Sequence, residues 1–243
     1  MSGALCEKLA WDSEFFGVGI GRVIGETLDE AGAAAVDQWC QANRISCLYF
    51  MVRADDAMTR RTAEGHGFAL VEVRVELERA VKYPPEDAPA GFAVRAPTAA
   101  DLPALEAIAR TSFTDSRFYW DTHFPREQCD ELYARWIRES LRGFADAVLV
   151  AEYQHVAAAF VTCKLERTVG RISLLGVDAR FRGMGLGQSV MRGAMQWFAG
   201  QHVQRVVVAT QARNIASQRL YQRCGFLTRS VGLYYHKWGI VDL

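Results

Sequence analysis

Apolar and polar positions along the chain alternate in a way that predicts most of its elements. A mostly apolar run at Ile172, Leu174, Leu175 and Val177 has the length of a buried strand. It breaks at Gly183, Gly185 and Gly187, and the pattern then changes period: Val190, Met191, Ala194, Met195 and Phe198 fall on one face of a helix. Upstream, the same reading gives a strand at 19–24, a helix over 30–43, a strand at 46–52 and a helix ending near Gly65. A strand at 69–79 alternates Leu70, Val71, Val73, Val75 and Leu77 with charged residues, as suits a sheet with one polar face. Downstream come a short strand at 92–95 and a helix capped by Thr98-x-x-Asp101 that carries Leu102, Leu105 and Ile108. Pro125 starts a helix with Cys129, Leu132, Tyr133, Trp136, Ile137 and Leu141 on one face. Three strands follow near 147–153, 157–166 and 169–177. After the glycine segment come a strand at 205–210, a helix near 217–223 and two closing strands around 227–232 and 234–237.

Residues 82–91, KYPPEDAPAG, hold three prolines among acidic and small residues and suit neither a helix nor a central strand. They divide the chain into a small domain over 1–81, a linker over 82–91 and a larger domain over 92–243. The stretch 61–79 can be laid over 219–237, pairing Gly67-Phe68 with Gly225-Phe226. Each reads as a helix closing at a glycine and entering a strand.

Composition narrows the class. The 243 residues carry 28 basic and 28 acidic side chains, so no net field draws in a nucleic-acid polymer or an anionic membrane. The six cysteines are scattered, without C-x-x-C or histidines at ligand spacing. They read as reduced thiols of a cytoplasmic protein, not as a disulfide frame or metal site. No segment has the ~20 apolar residues of a membrane span, and the opening MSGALCEKLAWDSEFF is not a signal peptide.

A strand, a glycine loop and a helix in that order build an anion site. Glycines let the backbone N–H groups approach a ligand, and the first helical turn presents free N–H groups with the positive end of its dipole. Arg180 and Arg182 flank the loop. The spacing Arg180-x-x-Gly183-x-Gly185 is neither a Walker loop nor GxGxxG. It resembles the acetyl-CoA pyrophosphate loop of the GNAT N-acetyltransferase superfamily; a plain glycine-rich turn is the alternative. The segment QARNIASQRLYQRCGF extends the resemblance, with Asn214, then Tyr221 seven residues on, then Gly225-Phe226. The order of elements follows the same family.

The resemblance implies an α/β GNAT fold: a mixed central sheet with a splayed CoA cleft, preceded by a smaller, degenerate GNAT-like N-terminal domain without a glycine loop. It implies direct acetyl transfer from acetyl-CoA to an amine. The co-substrate would lie along Leu175, Gly176 and Val177 at the strand end, along Arg182, Gly183, Met184, Gly185, Leu186, Gly187 and Gln188, and against Asn214. Tyr221 would donate to the departing thiolate, for which a phenol has suitable acidity. The alternatives are a core aromatic for Tyr221 and a helix cap for Asn214. Cys224 lacks a sequence neighbour that would activate it and reads as a packed thiol. His123, His155 and His236 read as surface or loop residues.

A narrower resemblance rests on 9–23, 70–77, 133–143 and 210–221. These stretches are similar to the TDP-fucosamine acetyltransferase family, whose members acetylate a nucleotide-linked 4-amino-4,6-dideoxy sugar. In that family the glutamate of the Leu-Val-Glu strand, here Glu72, reaches the active site; an exposed strand carboxylate is the alternative. The segment 116–133 departs from the pattern. The aromatics Phe113, Phe118, Tyr119, Trp120, His123 and Phe124 are expected to stack against a nucleobase or sugar, whereas acidic residues would suit a peptide. The expected partners are therefore acetyl-CoA and a small amine acceptor, and a homodimer is the commonest closed assembly. Acetylation of another small amine or a peptide N-terminus, and a catalytically silent CoA-binding module, stay open.

Overall fold

Capping residues set where the helices begin. In the computed structural model, which describes residues 5–82 and 92–239, the Asp29 carboxylate accepts from the Gly32 N–H at 2.7 Å and starts helix Glu30–Asn43. Asp56 does the same for Ala57–Gly65 through Thr59 N–H at 3.0 Å, and Asn214 for Ile215–Arg223 through Ser217 N–H at 3.0 Å.

In chain order the strands are β1 (Cys6–Lys8), β2 (Ile20–Val23), β3 (Cys47–Arg53), β4 (Ala69–Ala80), β5 (Val94–Arg95), β6 (Ala147–Tyr153), β7 (Val156–Glu166), β8 (Val169–Val177), β9 (Arg205–Gln211) and β10 (Leu227–Trp238). The α-helices are α1 (Ala10–Phe16), α2 (Glu30–Asn43), α3 (Ala57–Gly65), α4 (Leu102–Ser112), α5 (Arg117–Trp120), α6 (Arg126–Glu139), α7 (Leu186–Gly200) and α8 (Ile215–Arg223). The sequence pattern gave no sign of β1, α1 or α5, which are short. Two closing strands were expected with a break near Gly232. Instead β10 is continuous, and Gly232 pairs with Arg53 in an unbroken antiparallel ladder to Trp238↔Cys47. The expected linker lies outside the described residues, apart from Lys82.

The chain forms two compact units, each drawn from separate stretches. The first comprises the described residues of Met1–Arg74, Trp120–Phe124 and Val231–Leu243. In it β1 pairs antiparallel with β2, β2 parallel with β3, and β3 antiparallel with β10. Alternation along β3 and β10 sends Leu48, Phe50, Val52, Leu233 and Tyr235 into one core with Val36 and Cys40 of α2 and Ala63 of α3. On the opposite side chains of the same strands, Tyr49 stacks on His236 at 4.6 Å.

The second unit comprises Val75–Tyr119 and Pro125–Ser230, as far as described. Its β5, β6, β7 and β8 are antiparallel neighbours, and β8 runs parallel to β9, giving the expected mixed sheet. Helix α4 packs on β7 and β8, and α7 on β6, β7 and β8. The core joins Val161, Ile172, Val206 and Val208 of the sheet with Val190, Met191, Ala194 and Phe198 of α7. A capping box at Thr98 and Asp101 starts the 3-10 turn that leads into α4. The Asp101 carboxylate also takes Arg95 at 2.8 Å, which with the Thr98 contacts holds it down at about 2.

The segments paired in the sequence have matching local geometry. Asp56 caps α3 and Asn214 caps α8, each through the N–H three residues on. Both helices close at a glycine with φ near +80° (Gly67, Gly225). The N–H groups of Phe68 and Phe226 return to the Ala63 and Tyr221 carbonyls, each at 3.0 Å.

Candidate active site

Parallel strands β8 and β9 are paired only from Val169↔Arg205 to Ile172↔Val208. Beyond that β8 continues to Val177 and β9 to Gln211 without pairing to one another. The parting opens a cleft of about 370 Å³ in the second unit. A register shift in the β7–β8 ladder lies beside it, where Leu174 N–H donates to the Thr162 hydroxyl at 2.9 Å.

The glycine loop closes one side. Gly183 and Gly185 have φ of +82° and +96°, and Gly185 is the N-cap of α7 with no side chain capping the helix. The N–H groups of the first turn thus have neither intrahelical nor side-chain acceptors and turn the positive helix end to the cleft. A Cβ at Gly185 would meet nothing within 4 Å, so glycine is needed there for its backbone conformation and not for space. A Gly185→Val variant is expected to lose tenfold or more in acetyl-CoA affinity by calorimetry, because a β-branched residue rejects that φ. An unchanged affinity in a folded variant would remove the loop from cofactor binding.

Of the residues expected to hold the co-substrate, Leu175, Val177, Arg182, Gly183, Gly185, Leu186, Gly187, Gln188 and Asn214 line this cleft. Gly176 does not. Strand alternation turns it away, and a Cβ there would stand 2.7 Å from Phe160 and 2.8 Å from Ile108. Met184 is exposed and also lies off the lining. Arg180 is not available as a second cation: Asp178 holds its guanidinium at 2.6 Å, and that contact keeps the carboxyl below its usual range. Arg223 on α8 lines the cleft instead. The helical spacing of Ala216, Leu220 and Arg223 could have revealed it.

Tyr221 sits one position off that face. It is 5% exposed within the core of the second unit, beside Phe226 at 6.3 Å. Burial pushes its phenol up, against a hydrogen bond with Ser217, which does line the cleft. Cys224 is half-buried, and burial raises its thiol despite Arg192 and Arg79. That is the opposite of an activated nucleophile, in keeping with a packed thiol. All six cysteines stand as free thiols.

The first unit holds Glu72, which is buried on β4 at 3% exposure, so the exposed-carboxylate alternative does not apply. It also corrects the reading of His236, which is 1% exposed rather than at the surface. Its Nδ1 meets Asp121 Oδ2 at 2.6 Å, the same oxygen accepts from Trp238 Nε1 at 2.7 Å, and His123 Nδ1 meets Asp121 Oδ1 at 2.7 Å. His123 and His155 are exposed, as expected. The expectation of a ligand-stacking aromatic loop also needs correction. Phe113 stacks on Tyr133 at 4.5 Å, Phe118 is buried, the Tyr119 hydroxyl donates to Asp130 at 2.5 Å, and Phe124 packs on Phe16 at 4.5 Å. Trp120 remains exposed. Among the described residues no group of side chains could hold a metal ion, and no helix is long and apolar enough to cross a membrane.

The model of the acetyltransferase (GNAT) family matches residues 104–226, just over half of the chain and all of the cleft. The chain belongs to the GNAT acetyltransferase family. The GNAT domain is an acetyl-CoA-dependent N-acetyltransferase, with acetyl-CoA as co-substrate. The residues that line the cleft fit that ligand, with free helix N–H groups and two arginines for its phosphates. The chain is 27% identical over 237 residues to the dTDP-fucosamine acetyltransferase of Escherichia coli O6:H1, covering 96% of this chain and 98% of that protein. It is 28% identical over 150 residues to the spore coat polysaccharide biosynthesis protein SpsD of Bacillus subtilis, covering 62% of this chain. That match spans about half, 52%, of the SpsD length. The fold is similar to a GCN5-related N-acetyltransferase from Sphaerobacter thermophilus, with a TM-score of 0.70 at 17% identity, over 98% of this chain and 78% of that one.

Proposed function

We propose that the protein transfers acetyl from acetyl-CoA directly to the amine of a nucleotide-linked amino sugar. The observation that carries the acceptor is the end-to-end similarity to a dTDP-fucosamine acetyltransferase, which takes in the small N-terminal region as well as the GNAT domain. In this reading the loop Arg182–Gln188, with Asn214 at the start of α8, holds the cofactor. Tyr221 donates to the departing sulfur and Glu72 takes the amine proton. Residues 1–81 are a degenerate GNAT-like half. The matched caps and glycine turns of α3 and α8 support that descent, and Ala63 stands where the other half has Tyr221.

One observation favours a second acceptor, a smaller amine without a base. Most aromatics of 113–124 are packed inside the protein and leave Trp120 and His123 of them exposed. A panel of amines assayed with acetyl-CoA decides between them. Turnover on TDP-linked 4-amino-4,6-dideoxy sugars should exceed that on glucosamine, polyamines and peptides by at least an order of magnitude in kcat/KM. A preference for glucosamine selects the smaller acceptor, and a preference for peptides overturns both sugar readings.

A further inference from the structure

The cleft has two chemically different walls. One is the glycine loop and the start of α7, with the positive helix end, Arg182 and Arg223. The other is the end of α4 and the turn after it, contributed by Thr111, Ser112, Thr114 and Asp115. Among the described residues, Asp115 is the only carboxylate that lines the cleft. It makes no hydrogen bond or ion pair with any other described residue, unlike Asp178 beside the glycine loop, which is spent on Arg180. The Ser112 hydroxyl on the same wall is shut off from solvent and has no hydrogen-bond partner. Thr111, by contrast, is spent on the α4 carbonyls of Ala107 and Ile108 at 3.3 Å. Ser112 ends, and Asp115 follows, an eleven-residue helix whose last carbonyls and negative dipole end favour a cation as the carboxylate does.

A carboxylate next to helix carbonyls repels a diphosphate and attracts a cation. An uncommitted buried hydroxyl costs stability until something pairs with it. We infer that Asp115, with Ser112, is the acceptor-binding end of this cleft and selects a protonated primary amine flanked by hydroxyl groups. The carboxylate holds the ammonium by a charge-assisted hydrogen bond and Ser112 takes a neighbouring hydroxyl. The inference rests on amine acetylation but not on a nucleotide being attached, so a free amino sugar would satisfy it equally.

The test uses binding, with the intact protein saturated with CoA and two pairs of probes. One pair is a TDP-linked 4-amino-4,6-dideoxygalactose and its 4-hydroxy counterpart; the other is glucosamine and glucose. The parent should bind the amine of at least one pair about 10- to 100-fold more tightly than the alcohol, the range expected of a hydrogen bond to a charged group. Asp115→Asn should abolish that preference while acetyl-CoA affinity stays within threefold. Asp115→Glu should restore part of it, which a purely structural role would not do. Preference in the second pair alone would overturn the nucleotide acceptor and leave Asp115 in place. A preference that survives Asp115→Asn, one absent from the parent in both pairs, or an acetyl-CoA affinity altered tenfold by Asp115→Asn would overturn the assignment.

Discussion

Tyr221→Phe is expected to lower kcat by two decades or more while leaving acetyl-CoA affinity and the melting temperature close to those of the parent. The substitution removes one oxygen and keeps a ring that is already 5% exposed and packed beside Phe226, so little buried area changes. If the hydroxyl donates to the sulfur as the C–S bond breaks, the interaction forms fully only in the transition state and appears in kcat, not in binding. General-acid contributions run to about 10²–10⁴-fold, or ~3–5 kcal/mol of barrier. Burial raises the phenol, and the hydrogen bond with Ser217 only partly offsets it, so the proton is in place throughout the neutral range. A rate loss in the parent caused by ionisation of Tyr221 should therefore begin only above the ordinary phenol value of about 10. Ser217→Ala should cost less than Tyr221→Phe, because it removes the partner of the donor and not the donor. A Phe variant within threefold of the parent rate would make Tyr221 a core aromatic and no more.

The glycine loop was legible because everything that builds it is local. An apolar strand, two glycines in a left-handed conformation and an amphipathic helix follow one another within thirty residues, and each signal points to the same arrangement. Helix α2, expected near 30–43, forms there because its ends are also set locally: Asp29 starts it and Arg44 closes it in a left-handed turn. The face of a side chain was harder to see. Gly176 sits in the run that forms the cleft, yet alternation sends it toward Phe160 and Ile108. Tyr221 has the family spacing but stands one position away from the helix face that meets the cleft. The aromatic run 113–124 looked available to a ligand because nothing in it announces partners. Those partners, Tyr133, Asp130 and Phe16, lie elsewhere in the chain and claim most of its rings.

Contacts across long sequence separations were not legible at all. Asp121 and His236 are 115 residues apart, and neither sits in a motif. His236 alternates with Tyr235 along β10 and was read as a surface position. Its own ring is covered by Tyr49, its partner in the ladder, and by Phe124, at 4.6 and 5.7 Å between ring centres, which buries it. Asp115 escaped notice for the opposite reason. A lone acid in a polar turn has no pattern, and it gains meaning only once the turn lines the same cleft as the glycine loop.

Asp121→Ala should destabilise the first unit. The carboxylate, 4% exposed, is the shared acceptor for His236 Nδ1, Trp238 Nε1 and His123 Nδ1 at 2.6, 2.7 and 2.7 Å, and for His123 N–H at 3.1 Å. It fixes the segment 120–124 to the end of β10 within that unit. Alanine deletes a charged acceptor and leaves His236 buried without it, a loss of about 1.5–3 kcal/mol for a hydrogen bond to a charged group. For a chain of this size that is a fall of roughly 3–12 °C in melting temperature. Asp121→Asn, which keeps one acceptor oxygen and loses the charge, should fall between. The pH dependence has a definite sign. Burial pushes the Asp121 carboxyl up, but the bonds from His236, Trp238 and His123 outweigh it and hold the group well below its ordinary value. A carboxyl depressed in the folded state contributes stability that is fully present above its unfolded value of about 3.9 and is lost as pH falls toward its folded value. The part of the gap between parent and Asp121→Ala that comes from this carboxyl should narrow in the acid range below about 4. Thermal melts of both proteins across that range measure it. A melting temperature within about 2 °C of the parent at neutral pH, below what even the smallest loss implies, would show that the cluster contributes no net stability.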